Sequence, residues 1–238
     1  MKIALIGYGK MGKTIEKLAL GKGHEVVLKI DKDNQADLSA ANLRQADVAI
    51  EFTQPESAFD NIKTCLEAGV PVVSGTTGWL ERLPEMREIC EASGSAFLHA
   101  TNFSIGVNML FALNRFLAKM MNGQPQYEVQ LGEIHHTQKL DAPSGTAITL
   151  AEGILAELER KQSWVNHETD KPEELSVISK RLDPTPGTHT VTYQSEIDDI
   201  TISHVAHSRE GFALGALTAA EWIVGKKGNF TMQDVLGF

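Results

Sequence analysis

Near the amino terminus, Gly7-Tyr8-Gly9-Lys10-Met11-Gly12 stands between a short apolar run and a segment of helical apolar spacing. This arrangement constrains the fold more than any other feature of the chain. Residues 2–6 predict a buried strand, and Ile15, Leu18, Ala19 and Leu20 predict a helix that ends near Gly21 and Gly23. Glu25 to Ile30 then predict a second strand, finishing at Asp31. In that order, strand, G-x-G-x-x-G, helix, strand and acid form a dinucleotide-binding signature. The glycines permit a tight turn and close approach of a pyrophosphate to the helix start, and Asp31 can hold ribose hydroxyls.

The alternation continues downstream. Asp47 to Phe52 reads as a third strand, and Thr53 with Pro55 opens a helix through about Ala68. Val70 to Val73 reads as a fourth strand, leading into Ser74-Gly75-Thr76-Thr77-Gly78. A helix over Glu85 to Ala92 precedes a short strand at Ala96 to Leu98 and the loop Ala100-Thr101-Asn102-Phe103-Ser104. Strands alternating with helices in this way predict an α/β fold, a Rossmann-like doubly wound parallel sheet. Ligands bind such sheets at the loops after the strands.

From about Gly106 the pattern changes. Val107 to Met121 predicts one long helix, whose methionines read as core filler. Arg160 to Glu174 is polar and reads as a solvated loop, whereas Leu175–Lys180, Thr188–Gln194 and Ile200–His207 are strand candidates with no helices between them. This predicts a smaller α+β domain with a mostly antiparallel sheet. Ala213 to Val224 predicts a last helix, and the apolar tail Val235 to Phe238 is expected to pack. A parallel sheet needs helices on both faces, so this end is expected to return to the first domain. The expected boundaries are 1–104, 105–212 and 213–238.

Within the second domain, the stretch from Glu133 to Ala147 gathers His135, His136, Lys139 and Asp141 before Pro143-Ser144-Gly145-Thr146. Tyr127 to Leu131 reads as a strand before it and Thr146 to Glu159 as a helix after it, which puts the polar cluster on a strand-to-helix loop. Ser144 is a good N-cap, and the following N–H groups would form an anion site at the helix start, with Gly145 allowing close approach. His135 or His136 can transfer a proton near neutral pH, and Lys139 can attract an anion or donate a proton. Together these groups suit a small carboxylate that receives a proton. No metal is expected. Although the chain has eight histidines, the cluster lacks a His-x-x-x-His spacing, and only two cysteines exist.

Composition excludes some classes. A net charge of −9 over 238 residues argues against a nucleic-acid binder, and the 42% hydrophobic content is that of a globular chain. Cys65 and Cys90 are too few for a disulfide framework and fit a reducing compartment. Neither a targeting segment nor a membrane span is visible, so a soluble, cytoplasmic protein is expected.

The assembled pieces resemble the dihydrodipicolinate reductase (4-hydroxy-tetrahydrodipicolinate reductase) family over essentially the whole chain. The run His-His-x-x-Lys-x-Asp-Ala-Pro-Ser-Gly-Thr-Ala from His135 is the most specific element. The Gly7–Gly12 fingerprint, Gly75 to Gly78, Ala100 to Asn108 and Phe212 to Ala216 support it. The resemblance implies that His135 is the proton donor/acceptor and Lys139 the second catalytic group. It implies that His136, Ser144, Gly145 and Thr146 bind substrate. It also implies that Gly7, Tyr8, Gly9, Lys10, Met11, Gly12, Asp31, Gly75, Thr76, Thr77, Ala100, Thr101, Asn102 and Phe103 line an NADH or NADPH cofactor. The implied reaction belongs to lysine and diaminopimelate biosynthesis: hydride goes to ring C4 of a small cyclic dicarboxylate and a proton to the adjacent carbon, within a homotetramer. Lys10 and Lys32 stand where many members carry arginine, which leaves the choice between NADH and NADPH open. A non-enzymatic NAD(P)-sensing module of the same fold is the alternative; it accounts for the glycine fingerprint but gives His135 and Lys139 no purpose.

Overall fold

The structure, a computed structural model, describes residues 1–208 and 210–238. In chain order it begins β1 (Lys2–Ile6), α1 (Lys10–Gly21), β2 (Glu25–Ile30), α2 (Ala40–Leu43), β3 (Val48–Glu51), α3 (Pro55–Glu67), β4 (Val72–Ser74), α4 (Leu83–Ser93) and β5 (Ala96–His99). It continues with α5 (Ile105–Met121), β6 (Glu128–His135), α6 (Gly145–Leu155), β7 (Ser163–Val165), β8 (Glu174–Arg181), β9 (Gly187–Gln194) and β10 (Asp199–Ala206). The chain ends with α7 (Glu210–Ile223), β11 (Gly228–Phe230) and α8 (Met232–Leu236). Two compact units result: Met1–Ile105 with Glu210–Phe238, and Gly106–Arg209.

The first unit is built on a six-stranded parallel sheet in the order β11-β5-β4-β3-β1-β2. Its inner strands β1, β3, β4 and β5 read as largely apolar runs because they are buried on both faces. Successive side chains alternate between two cores. Ile3 and Leu5 of β1 and Val48 and Ile50 of β3 join one core with α1 and α7, while Ala4, Ile6 and Ala49 join the other with α3 and α4. The sixth strand is β11, three residues that the sequence reading did not anticipate. It extends the sheet by pairing with β5. In the tail, Val235 and Leu236 pack against the first core, whereas Phe238 is half-exposed rather than packed.

The second unit holds a five-stranded sheet in the order β10-β9-β6-β8-β7. It is mixed rather than mostly antiparallel: β6 pairs antiparallel with β9 and parallel with β8, and β7 also runs parallel to β8. The stretch expected to be a solvated loop contains β7, the three residues Ser163-Trp164-Val165, which pair with β8 within otherwise polar surroundings. One sheet face is closed by α5 and α6, through Leu110, Leu117, Leu150 and Ile154 against Val129, Leu131, Val177, Val191 and Tyr193.

Candidate active site

In the first unit every residue singled out for the cofactor sits after the carboxyl end of a parallel strand. Gly7 to Gly12 follow β1, Asp31 follows β2, Gly75 to Thr77 follow β4, and Ala100 to Phe103 follow β5. Between β1 and β3 the strand order changes direction, the position where such sheets bind ligands. Gly7 has φ +94, and a Cβ there would lie 1.9 Å from the Phe52 carbonyl oxygen; at Gly12 it would lie 2.4 Å from the Gly7 carbonyl oxygen. These two glycines make the turn. Gly9 differs, because a Cβ built on it meets nothing within 4 Å. As the N-cap of α1 it carries no side-chain cap, so the helix start presents backbone N–H groups to an anion beside open space. Asp31 is exposed, and its Oδ1 accepts from the Lys32 N–H at 2.9 Å. This turn, uncapped helix start and exposed acid fit a pyrophosphate and a ribose.

Thr76, by contrast, faces inward. Its hydroxyl donates to Glu51 Oε1 at 2.7 Å, the Ser74 hydroxyl donates to Oε2 at 2.5 Å, and Thr53 donates its N–H at 2.9 Å together with its hydroxyl. Glu51, at the end of β3, was not anticipated from sequence. It is fully buried and ties the ends of β3 and β4 together.

The polar cluster of the second unit is built by strand periodicity. Along β6, Val129, Leu131, Glu133 and His135 all point inward and are buried. The strand therefore reaches further than Leu131, and His135 ends it rather than occupying the following loop. Register sets Glu133 opposite Ser179 on β8 and His189 on β9, and His135 opposite Arg181. Both Glu133 oxygens accept from the Ser144 N–H, at 3.1 and 3.2 Å, and Oε1 accepts from the Ser179 hydroxyl at 2.7 Å and from Arg181 at 3.4 and 3.5 Å. Burial alone would raise the Glu133 pKa. The bonds from His135, His189, Ser144 and Ser179 instead hold it well below the ordinary carboxylate range. The His189 pKa is also lowered, in its case chiefly by burial, which disfavours the charged imidazole.

His135 Nδ1 lies 3.3 Å from the Pro186 carbonyl oxygen, and its Nε2 lies 3.4 Å from Glu133 Oε2. Lys139 pairs with Asp141 at 2.7 and 2.8 Å. Arg181 clamps the loop between them, donating to the Lys139 carbonyl oxygen at 3.3 Å and the Asp141 carbonyl oxygen at 2.5 Å. Ser144 caps α6, its hydroxyl accepting from Ala147 N–H at 3.1 Å, and Gly145 is exposed. His136 and Thr146 are half-buried on either side of the same loop. Glu133, His189 and Arg181 are the residues that sequence reasoning missed. The signal was phase: Glu133 follows Val129 and Leu131, and His189 precedes Val191 and Tyr193, at the inward positions of their strands.

A family profile described as dihydrodipicolinate reductase, N-terminus, matches residues 1–103, and its C-terminus counterpart matches residues 106–236. The chain belongs to the dihydrodipicolinate reductase family. It is 53% identical to a 4-hydroxy-tetrahydrodipicolinate reductase of Christiangramia forsetii, covering 99% of this chain and 98% of that one. It is 36% identical to one from Caldanaerobacter subterraneus subsp. tengcongensis, over 96% and 94% of the two chains. A dipicolinate-bound dihydrodipicolinate reductase structure from Paenisporosarcina sp. TG-14 shares the fold. Its TM-score is 0.78 at 24% identity, over 98% of both chains. Dihydrodipicolinate reductases are NAD(P)H-dependent oxidoreductases, and this member is an enzyme of that kind. Among the described residues, no helix is long and apolar enough to cross a membrane.

Proposed function

We propose that the chain reduces 4-hydroxy-tetrahydrodipicolinate, or its dehydrated form dihydrodipicolinate, to tetrahydrodipicolinate in lysine and diaminopimelate biosynthesis. The observation that carries this reading is the buried Glu133 carboxyl beside His135 on the inward face of β6, joined through Ser144 N–H to the start of α6. When bound, NADH or NADPH supplies a hydride to ring C4 of the substrate. Gly7 to Gly12 would hold its pyrophosphate and Asp31 its ribose, Tyr8, Lys10, Met11, Gly75, Thr77, Ala100, Thr101, Asn102 and Phe103 would line it, and Thr76 would support that lining from within through Glu51.

His135 delivers the proton to the carbon adjacent to C4. In its charged form both ring nitrogens have acceptors, the Pro186 carbonyl at Nδ1 and Glu133 at Nε2, so the ring is fixed in orientation before it acts. Lys139 is the second catalytic group, with Asp141 positioning its ammonium against a substrate carboxylate. Because the Ser144 N–H is committed to Glu133, Ser144 contributes its hydroxyl, while Gly145 and Thr146 in the first turn of α6 bind the anion with His136. The exposed carboxylate of Asp31 favours NADH, and Lys10, Lys13 or Lys32 can accept a 2′-phosphate. The proposal includes a homotetramer and a cytoplasmic location; sedimentation of the purified protein checks the first.

The test couples the chain to an enzyme that makes dihydrodipicolinate from pyruvate and aspartate semialdehyde, with NADH and NADPH supplied separately. Nicotinamide oxidation that depends on both enzymes is expected. A folded, cofactor-binding protein that oxidises neither would overturn the reading in favour of a sensing module.

A further inference from the structure

We propose that Glu133, His135 and His189 form a binding site for a divalent transition cation of the zinc class. One ligand atom from each converges on a single point. His135 Nε2 and His189 Nε2 are 3.3 Å apart, and they lie 3.4 and 3.6 Å from the same carboxylate oxygen, Glu133 Oε2. Two ligand atoms each about 2.05 Å from a tetrahedral ion stand about 3.3 Å from one another, so the three edges match a cation seated between them. Two imidazoles and one carboxylate are also the donor set that first-row cations such as Zn²⁺ or Co²⁺ prefer over Mg²⁺ or Ca²⁺.

The surroundings suit the same occupant. All three side chains are buried, with 1%, 8% and 4% of Glu133, His135 and His189 exposed, so little rotamer freedom remains to be lost on binding. His135 directs Nδ1 at the Pro186 carbonyl oxygen, the outer hydrogen bond that leaves Nε2 with a lone pair for a metal. Glu133 Oε1 is held by Ser179 and Arg181, while Oε2, which also accepts from the Ser144 N–H at 3.2 Å, keeps its second lone pair for the cation. Without a cation the two Nε2 atoms compete for one proton between them; a cation relieves that by accepting both lone pairs. The Ser144 hydroxyl lies 3.2 Å from His189 Nε2, and it or a water can complete the coordination. Local spacing gives no sign of this site, because its ligands come from two strands brought together by the β6–β9 register.

A cation on Nε2 keeps the His135 ring from taking up the proton that the proposed reaction transfers, so the cation is an inhibitor; this consequence rests on the functional reading above. The experiment uses the full chain without a polyhistidine tag, stripped with chelator and titrated with Co²⁺ while visible absorption is followed. Saturable bands at one Co²⁺ per chain, displaced by Zn²⁺, are expected. His189→Gln should weaken Co²⁺ binding by roughly 100-fold, and Glu133→Gln serves as a second variant. No saturable band, or bands of unchanged affinity in both folded variants, overturns the site. Turnover assayed in parallel separates the two ideas. Zn²⁺ bound at these residues without inhibition leaves the site standing and removes His135 from catalysis. No metal binding, with turnover lost in His135→Ala, leaves the catalytic reading and removes the site.

Discussion

The two glutamates buried in the strands, Glu51 of β3 and Glu133 of β6, are shielded equally from water yet behave in opposite ways. Glu51 receives a backbone N–H and three hydroxyls, all neutral donors. Burial pushes its pKa up, and the bonds from Ser74, Thr53 and Thr76 pull it back only in part. Glu133 suffers the same burial, but its neighbours include His135, His189 and Arg181, and its pKa falls. At Glu133 the bonds from His135, His189, Ser144 and Ser179 outweigh burial, whereas at Glu51 those from Ser74, Thr53 and Thr76 do not. Glu51 is therefore a brace between strand ends whose negative charge is a cost, whereas the charge of Glu133 is part of the site it organises.

The largest effects should come from the charged cluster. His135→Ala and Lys139→Ala are each expected to lower turnover by roughly 100-fold or more while leaving NADH binding nearly unchanged, which steady-state rates and a cofactor titration would check. Loss of cofactor affinity in either would mean that the cluster does not act on the proton. Glu133→Gln comes next. It leaves Arg181 and two imidazoles facing a neutral amide and should cost on the order of 3 kcal/mol in chemical denaturation. A cost as small as that of the matching change at Glu51 would erase the contrast between the two acids.

Much of the first unit was legible because strands buried on both faces are written as unbroken apolar runs, and because the β1–α1 turn needs glycine for steric reasons local to six residues. β11 was not legible: Gly228-Asn229-Phe230 has no period of its own and becomes a strand only by pairing with β5. In the second unit the catalytic candidates His135 and Lys139 stood out by residue type, and the cap at Ser144 by its place before an apolar-periodic run. Their supports did not. Glu133 was visible as an acid in phase with Val129 and Leu131, but nothing local says that Ser179 and His189 flank it, since register between distant strands decides that. Glu51 was hidden for the same reason, its partners Ser74 and Thr76 arriving from the next strand.

An exposed acid in the same unit as Glu51 offers an intermediate case. Asp31→Ala removes an exposed charge together with the cap that accepts from the Lys32 N–H, so stability should fall by about 1 kcal/mol. The ratio of NADH to NADPH affinity should fall by about 10-fold if Asp31 is the ribose ligand. Unchanged discrimination in a binding titration would remove it from that role.

The smallest effect, and the sharpest test of the contrast, is Glu51→Gln. A folded pKa raised above the unfolded value means that the native protein binds the proton more tightly than the unfolded chain does. That contribution to stability is fully present below the unfolded pKa, near 4.3, and is lost as pH rises through the folded value. Glutamine keeps an acceptor for the Thr53 N–H, and the Ser74 hydroxyl can turn to accept from the new amide, so the hydrogen-bond cost should stay within about 1 kcal/mol. The stability of wild type minus that of the variant should therefore fall as pH is raised from about 5 to 8, measured by urea denaturation at each pH. Glu133 adds no slope in this window, because its folded pKa is depressed and its contribution is lost only below the ordinary carboxylate range. A difference that rises with pH would show Glu51 stabilised as an anion, and the two buried acids would then be alike.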